Sequence, residues 1–126
     1  MDSAKLLLHP RTGDRLVVLE EALAAAGEAF RFEILTSVVA DPPEDHVHRA
    51  QSERIEVLAG TLRARIGGRE HVLRAGEVIT IPPGTPHAVW NADPGQTRSR
   101  GEFRPALDMQ ERLEAQFRGA SARGVR

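Results

Sequence analysis

Between Asp45 and Asn91 the chain carries three histidines and a glutamate, His46, His48, Glu53 and His87, at spacings a β-barrel would bring together. His46 and His48 are two apart, so on a β-strand both imidazoles leave the same face. Glu53 can follow on the same sheet, with Ile55 and Val57 sharing its face, and His87 comes from a later strand. Three neutral nitrogens and one carboxylate suit a borderline divalent ion and leave positions open in an octahedral shell. Such an ion polarises a carbonyl or enolate oxygen as a Lewis acid or, if redox-active, binds substrate beside dioxygen. No Ser-His-Asp arrangement, phosphate loop or second catalytic motif accompanies the set, so no general acid or base is assigned.

Two longer patterns contain these residues. The first runs His46-Val47-His48, then Glu53 five residues on, then Gly60 seven beyond that. The second runs Gly76, Pro82, Gly84, His87 and Asn91. Together they resemble the two sequence motifs of the cupin superfamily. Ala40 departs from the family pattern, which usually has a Gly before the His pair; that Gly shapes backbone and is not a ligand. The resemblance covers the middle third to half of the chain. It implies an all-β fold, a small conical jelly-roll (double-stranded β-helix), with one divalent transition metal ion inside, Fe, Mn, Ni, Cu or Zn, held by His46, His48, Glu53 and His87. It also implies a choice of chemistries. A three-His, one-Glu site resembles that of cupin dioxygenases acting on flavonols or small enediols, and this oxygenase reading is preferred. The alternatives are a non-redox isomerase, decarboxylase, lyase or cyclase, and a non-catalytic binding cupin.

A chain of 126 residues is one domain with a single core. The formal charge of −1 gives no electrostatic footprint for nucleic acid or an anionic membrane, so neither is expected as a partner. The absence of cysteine rules out disulfides and thiolate ligands. Met1 to Pro10 lacks signal-peptide architecture, and no apolar run approaches the roughly 20 residues needed to span a bilayer. The expectation is a soluble, cytoplasmic protein with a small-molecule substrate.

The elements that must position the ligands can be read in turn. Leu6 to Leu8 precede a turn at Pro10, Thr12 and Gly13. Leu16 to Leu19 form a buried strand. Glu21 to Ala29 fits either a helical turn or a loop, because its alanines favour helix and Gly27 interrupts it. From Phe30 the chain alternates, with Phe32, Ile34, Thr36 and Val38 on one face and Arg31, Glu33 and Leu35 on the other; that is a strand. Beyond Glu53 the apolar parity slips from odd (Ile55, Val57) to even (Leu62, Ala64, Ile66), which requires a bend or bulge at Ala59-Gly60. Gly67-Gly68 signals a two-residue hairpin, and Pro83-Gly84 a type II turn that delivers His87 to its strand. Val78 to Ile81 and Thr97 to Arg104 are further strands. The barrel core spans about residues 14–104. A C-terminal helix over 105–118 follows, with Pro105 at its first position, Gly119 past its end, and Ala106, Met109, Leu113 and Phe117 as its apolar stripe. Glu114 and Arg118 would pair on its exposed side. The tail, 119–126, is expected to be disordered.

Plainer roles are weighed for each residue. The His/Glu set would also suit a metal-free polar pocket, and Glu56 competes with Glu53 if the strand carries a bulge. His9 and His71 read as surface histidines, and Trp90 alternates away from His87. Glu102 and Arg104 share a face that either reaches substrate or is solvated. Ile34, Ile55, Val57, Ile66 and Val89 are the expected aliphatic wall; with no tyrosine and four phenylalanines, little is available to stack flat rings. Open sheet edges and the helix stripe together suggest a homodimer.

Overall fold

The computed structural model describes residues 5–22, 28–36 and 41–119. Nine strands and one helix follow in order: β1 (Lys5–Leu8), β2 (Arg15–Glu20), β3 (Phe30–Thr36), β4 (Ser52–Ala59), β5 (Thr61–Ile66), β6 (Arg69–Arg74), β7 (Val78–Ile81), β8 (His87–Trp90), β9 (Thr97–Arg104) and α1 (Met109–Phe117). A six-stranded sheet, β1-β2-β3-β9-β4-β7, faces a three-stranded sheet, β6-β5-β8, and every pairing is antiparallel. The protein is an all-β jelly-roll closed by a C-terminal helix.

Alternation decides the faces. On β9 the residues Thr97, Ser99, Gly101 and Phe103 are buried while Arg98, Arg100 and Arg104 are exposed. On β4, Glu53, Ile55 and Val57 point inward. The parity slip between Val57 and Leu62 is the crossing from one sheet to the other. Gly60 makes that corner at φ +78, and a Cβ there would stand 2.6 Å from the Gln96 carbonyl oxygen, so both backbone and space require glycine. Gly67 and Gly68 have positive φ at the β5–β6 hairpin. In the turn after β7, Gly84 has φ +80 and the Thr85 amide donates to the Pro82 carbonyl at 3.4 Å, as the type II reading requires.

Two apolar clusters flank the interior. One joins Leu16, Val18, Phe30, Phe32 and Phe103 to Ala106, Met109, Leu113 and Phe117 of the C-terminal segment. The other packs Ile55, Val57 and Ile81 against Leu62, Ala64 and Leu73 of the second sheet. Gly101 leaves room for the Phe32 ring, which lies where its Cβ would otherwise be.

Some sequence-based expectations are corrected. The helix starts at Met109, not Pro105, because Leu107 adopts φ +46 and breaks the helical path before Asp108. The Ala106, Met109, Leu113 and Phe117 stripe is nevertheless buried throughout. Glu114 does pair with Arg118, at 3.2 Å, but it is buried and also accepts from Lys5 at 2.8 Å and Gln110 at 2.9 Å. Lys5–Leu8 is an edge strand that the three-leucine run alone did not announce. Val38, most of the Glu21–Ala29 segment and the tail beyond Gly119 lie outside the described residues.

The outer face of the large sheet carries an ionic ladder. Glu33 is buried at 5% exposure and accepts from Arg98 at 2.8 Å and Arg100 at 2.9 Å. Burial by itself would raise the Glu33 carboxyl, but the hydrogen bonds from Arg100 and Arg98 outweigh it and hold the group below its ordinary value. A carboxylate held low in the folded state stabilises above its unfolded pKa and loses that contribution as pH falls through the folded value. Glu33→Gln is therefore expected to flatten the fall in unfolding free energy between about pH 5 and 3. Urea titrations across that range check it, and a variant with the wild-type slope would remove Glu33 from the account.

Candidate metal centre

The His pair does not lie on a regular strand, as the spacing had suggested. The segment joins the sheet backbone at an isolated bridge, where the His46 amide donates to the His87 carbonyl at 2.8 Å and the His87 amide donates to the His46 carbonyl at 3.0 Å. Two residues on, the Gly84 amide donates to the His48 carbonyl at 2.9 Å, so the turn ahead of β8 fastens the loop that carries the pair. These backbone bonds bring together residues some forty positions apart.

The ligand atoms of His46, His48 and His87 lie within 4.8 Å of one another. Glu53 reaches the cluster from β4, with Oε1 at 3.3 Å from His87 Nε2 and 3.7 Å from His48 Nε2. Glu53 and His87 are almost wholly buried and His48 nearly so, whereas Glu56 lies on the other face of β4 beside Arg54. All four residues singled out from the sequence thus converge.

The donor set fits a metal ion. The buried Nε2 atoms of His48 and His87 have no hydrogen-bond partner. His87 Nδ1 lies 2.9 Å from the Thr85 carbonyl oxygen. A carbonyl only accepts, so Nδ1 carries a proton, and Nε2 is the ring nitrogen left to face a metal ion. Burial pushes His48 down to about 4 against the pull of Glu53, which keeps this ring neutral near pH 7. Burial also depresses His87, but the Glu53 carboxylate and the Thr85 carbonyl outweigh it, and the net shift is upward. The neutral His48 ring is in the state that metal binding needs, whereas on His87 an ion would compete with a proton.

Beside the cluster lies a cavity of about 160 Å³, room for a small organic molecule. Ile34, Leu62, Val89, Leu113 and Phe117 form its apolar wall, and of the four candidate ligands only His46 borders it. The expected aliphatic wall is therefore partly corrected: Ile34 and Val89 line the cavity, while Ile55 and Val57 belong to the core beneath and Ile66 packs against it. Asn91 closes the turn after β8, accepting from Thr97 Oγ1 at 3.0 Å. Trp90 alternates away from His87 and pairs with Arg63 by register, under the Arg65 guanidinium, yet it is buried and also borders the cavity. Glu102 and Arg104 also face outward, where Glu102 accepts from Arg31 Nε at 2.6 Å. His71 is exposed, but His9 is not a plain surface residue, since its Nδ1 accepts from the Arg11 and Thr12 amides. Asp14 and Gln116 line the cavity without having carried any motif; only the fold brings the β1–β2 turn and the helix to it.

The Cupin domain model matches residues 37–98, which contain all four converging side chains. The chain belongs to the cupin superfamily. This cupin is 34% identical over 64 residues to quercetin 2,3-dioxygenase of Bacillus subtilis (strain 168). That match takes in 51% of the chain but spans only 19% of the relative's length. Among solved structures, an RmlC-like cupin from Shewanella frigidimarina superposes with a TM-score of 0.67 at 20% identity, over 86% of this chain and 89% of the other. FeII HppE superposes with a TM-score of 0.66 at 17% identity, over 81% and 57% of the two chains. These structures share the fold. No helix among the described residues is long and apolar enough to cross a membrane.

Proposed function

We propose that this cupin is a metal-dependent oxidoreductase of the dioxygenase type, acting on a small organic substrate held in the cavity beside His46. The observation that carries the reading is the desolvated set of three imidazoles and one carboxylate, with the buried Nε2 atoms of His48 and His87 gathered around Glu53 and lacking a hydrogen bond. The 34% identity with a quercetin 2,3-dioxygenase favours dioxygen chemistry over Lewis-acid chemistry at such a set. His46, His48, Glu53 and His87 would hold the ion, and a redox-active iron, manganese, nickel or copper there would supply the activation of substrate and dioxygen. The protein's own part is positional. The Thr85 carbonyl fixes the His87 tautomer, β4 fixes Glu53, and Ile34, Val89 and Leu113 keep water from the apolar side of the substrate.

The test is elemental analysis of untagged, chelator-free protein beside the His46→Ala/His48→Ala variant, with dioxygen uptake followed against a panel of enediols and flavonols. Near-stoichiometric iron, manganese, nickel or copper that disappears in the variant, with substrate-dependent uptake, supports the reading. Zinc with no uptake replaces it by Lewis-acid catalysis, and no metal even after reconstitution leaves a binding cupin. The proposal includes a homodimer. β1 is an open sheet edge that exposes Leu6 and Leu8, and such edges call for cover. Sedimentation at micromolar concentration is expected to give twice the chain mass, and a monomer would overturn that part.

A further inference from the structure

One wall of the cavity belongs to neither motif. Asp14 stands on it at the end of the turn joining β1 to β2, and its Oδ1 is buried with no hydrogen-bond partner. A buried carboxylate oxygen without a donor is unfavourable, and native structures keep such a group where something else supplies the donor. The position is tightly fixed. The His9 amide donates to the Asp14 carbonyl at 2.8 Å, the Gly13 amide to the His9 carbonyl at 3.0 Å, and the Asp14 amide to Thr12 Oγ1 at 3.2 Å. The His9 ring in turn meets Phe117 edge-on at 6.4 Å, which seats the turn against the end of α1. Backbone groups and His9 hold the turn, so Asp14 Oδ1 is not needed to form it.

The same cavity touches His46 and is apolar along Ile34 and Val89. A molecule lying in it meets an apolar wall, the edge of the His cluster and one carboxylate oxygen that needs a donor. We propose that Asp14 is a ligand-binding residue whose Oδ1 accepts a hydrogen bond from a hydroxyl or ammonium group of a small amphipathic organic molecule, with that molecule's apolar part against Ile34 and Val89. The assignment rests on the cavity being the substrate site of the proposed enzyme, and it does not require the metal.

Three benzyl probes separate the possibilities: benzyl alcohol, benzylamine and benzyl methyl ether, each titrated into the full chain and followed by amide chemical shifts. The alcohol and the amine are expected to bind about 10-fold or more tightly than the ether, the size of one good hydrogen bond, and to move the Ile34 and Val89 amides. Asp14→Ala should erase that preference while its remaining spectrum overlays the wild type. Asp14→Asn keeps an acceptor without the charge, so it should retain the preference for the alcohol and lose most of that for the amine. Equal binding of the ether by the wild type, an undiminished preference in Asp14→Ala, or no probe binding at millimolar concentration overturns the assignment. Metal content measured on the same samples keeps the two readings apart. A wild type without metal that still discriminates the probes sinks the enzyme and leaves Asp14 standing, whereas metal-loaded protein with no discrimination does the reverse.

Discussion

His48→Ala is expected to lower metal occupancy by about 10-fold or more, and to erase most of the thermal stabilisation expected for the wild-type chain on addition of manganese or zinc. An ion at 100 times its Kd stabilises the folded state by about 2.7 kcal/mol, roughly 8 °C for a domain of this size. That increment requires the full ligand set, and His48 is the imidazole that burial holds neutral. In the metal-free protein the same substitution has two opposed effects. It removes a buried nitrogen that has no partner, and it leaves a small void beside Phe103. The metal-free melting temperature should therefore move little while the metal-induced increment collapses. Calorimetry of both proteins with and without added ion reads the two separately. A variant that keeps the full increment would mean that the ion binds elsewhere. Glu53→Gln is the companion: it keeps the shape, removes the charge 3.3 Å from His87, and should weaken binding with less disturbance of packing.

Much of this architecture is local in origin and could be read from the chain. Gly67-Gly68, Pro83-Gly84 and the slip at Gly60 are backbone requirements that only particular residues meet, so they announce themselves. The alternation from Thr97 to Arg104 marks β9 to the residue, because burial of one sheet face imposes a period of two. The four converging residues were legible as spacing, yet the reason they converge was not. His46 and His48 sit in a loop fastened by amide bonds to His87 and Gly84, and such long-range backbone pairing leaves no local pattern. Asp14 was invisible for the same reason, since a turn next to a short edge strand reaches the cavity only after the sheet and helix have packed. The late start of α1 is of another kind. Pro105 is well suited to a first helical position, and the local signal was overridden by the path the chain takes to seat Ala106 and Met109 in the core.

That core and the candidate metal centre are joined at one side chain, and its substitution should show the connection. Phe103 is fully buried on β9, paired across the sheet with Phe30 on one side and Glu53 on the other. Its ring stacks on Phe32 at 5.6 Å and meets the His48 ring at 5.1 Å, nearly perpendicular. Phe103→Ala is expected to cost about 3–5 kcal/mol of unfolding free energy, the range for deleting a buried aromatic ring. Phe103→Leu should cost under about 1.5 kcal/mol and remain folded, since most of the volume is kept. The leucine variant still loses the ring that packs against His48. Water admitted there weakens the burial that holds His48 at about 4, so its pKa rises toward the ordinary histidine value and protons compete with the ion. Metal affinity of Phe103→Leu should accordingly fall more steeply than that of the wild type as pH is lowered from 7 to 6. Titration calorimetry at the two pH values, beside urea unfolding, separates the effects. A leucine variant with wild-type affinity at both values would confine Phe103 to packing, and the orientation of His48 would then have to come from its own loop.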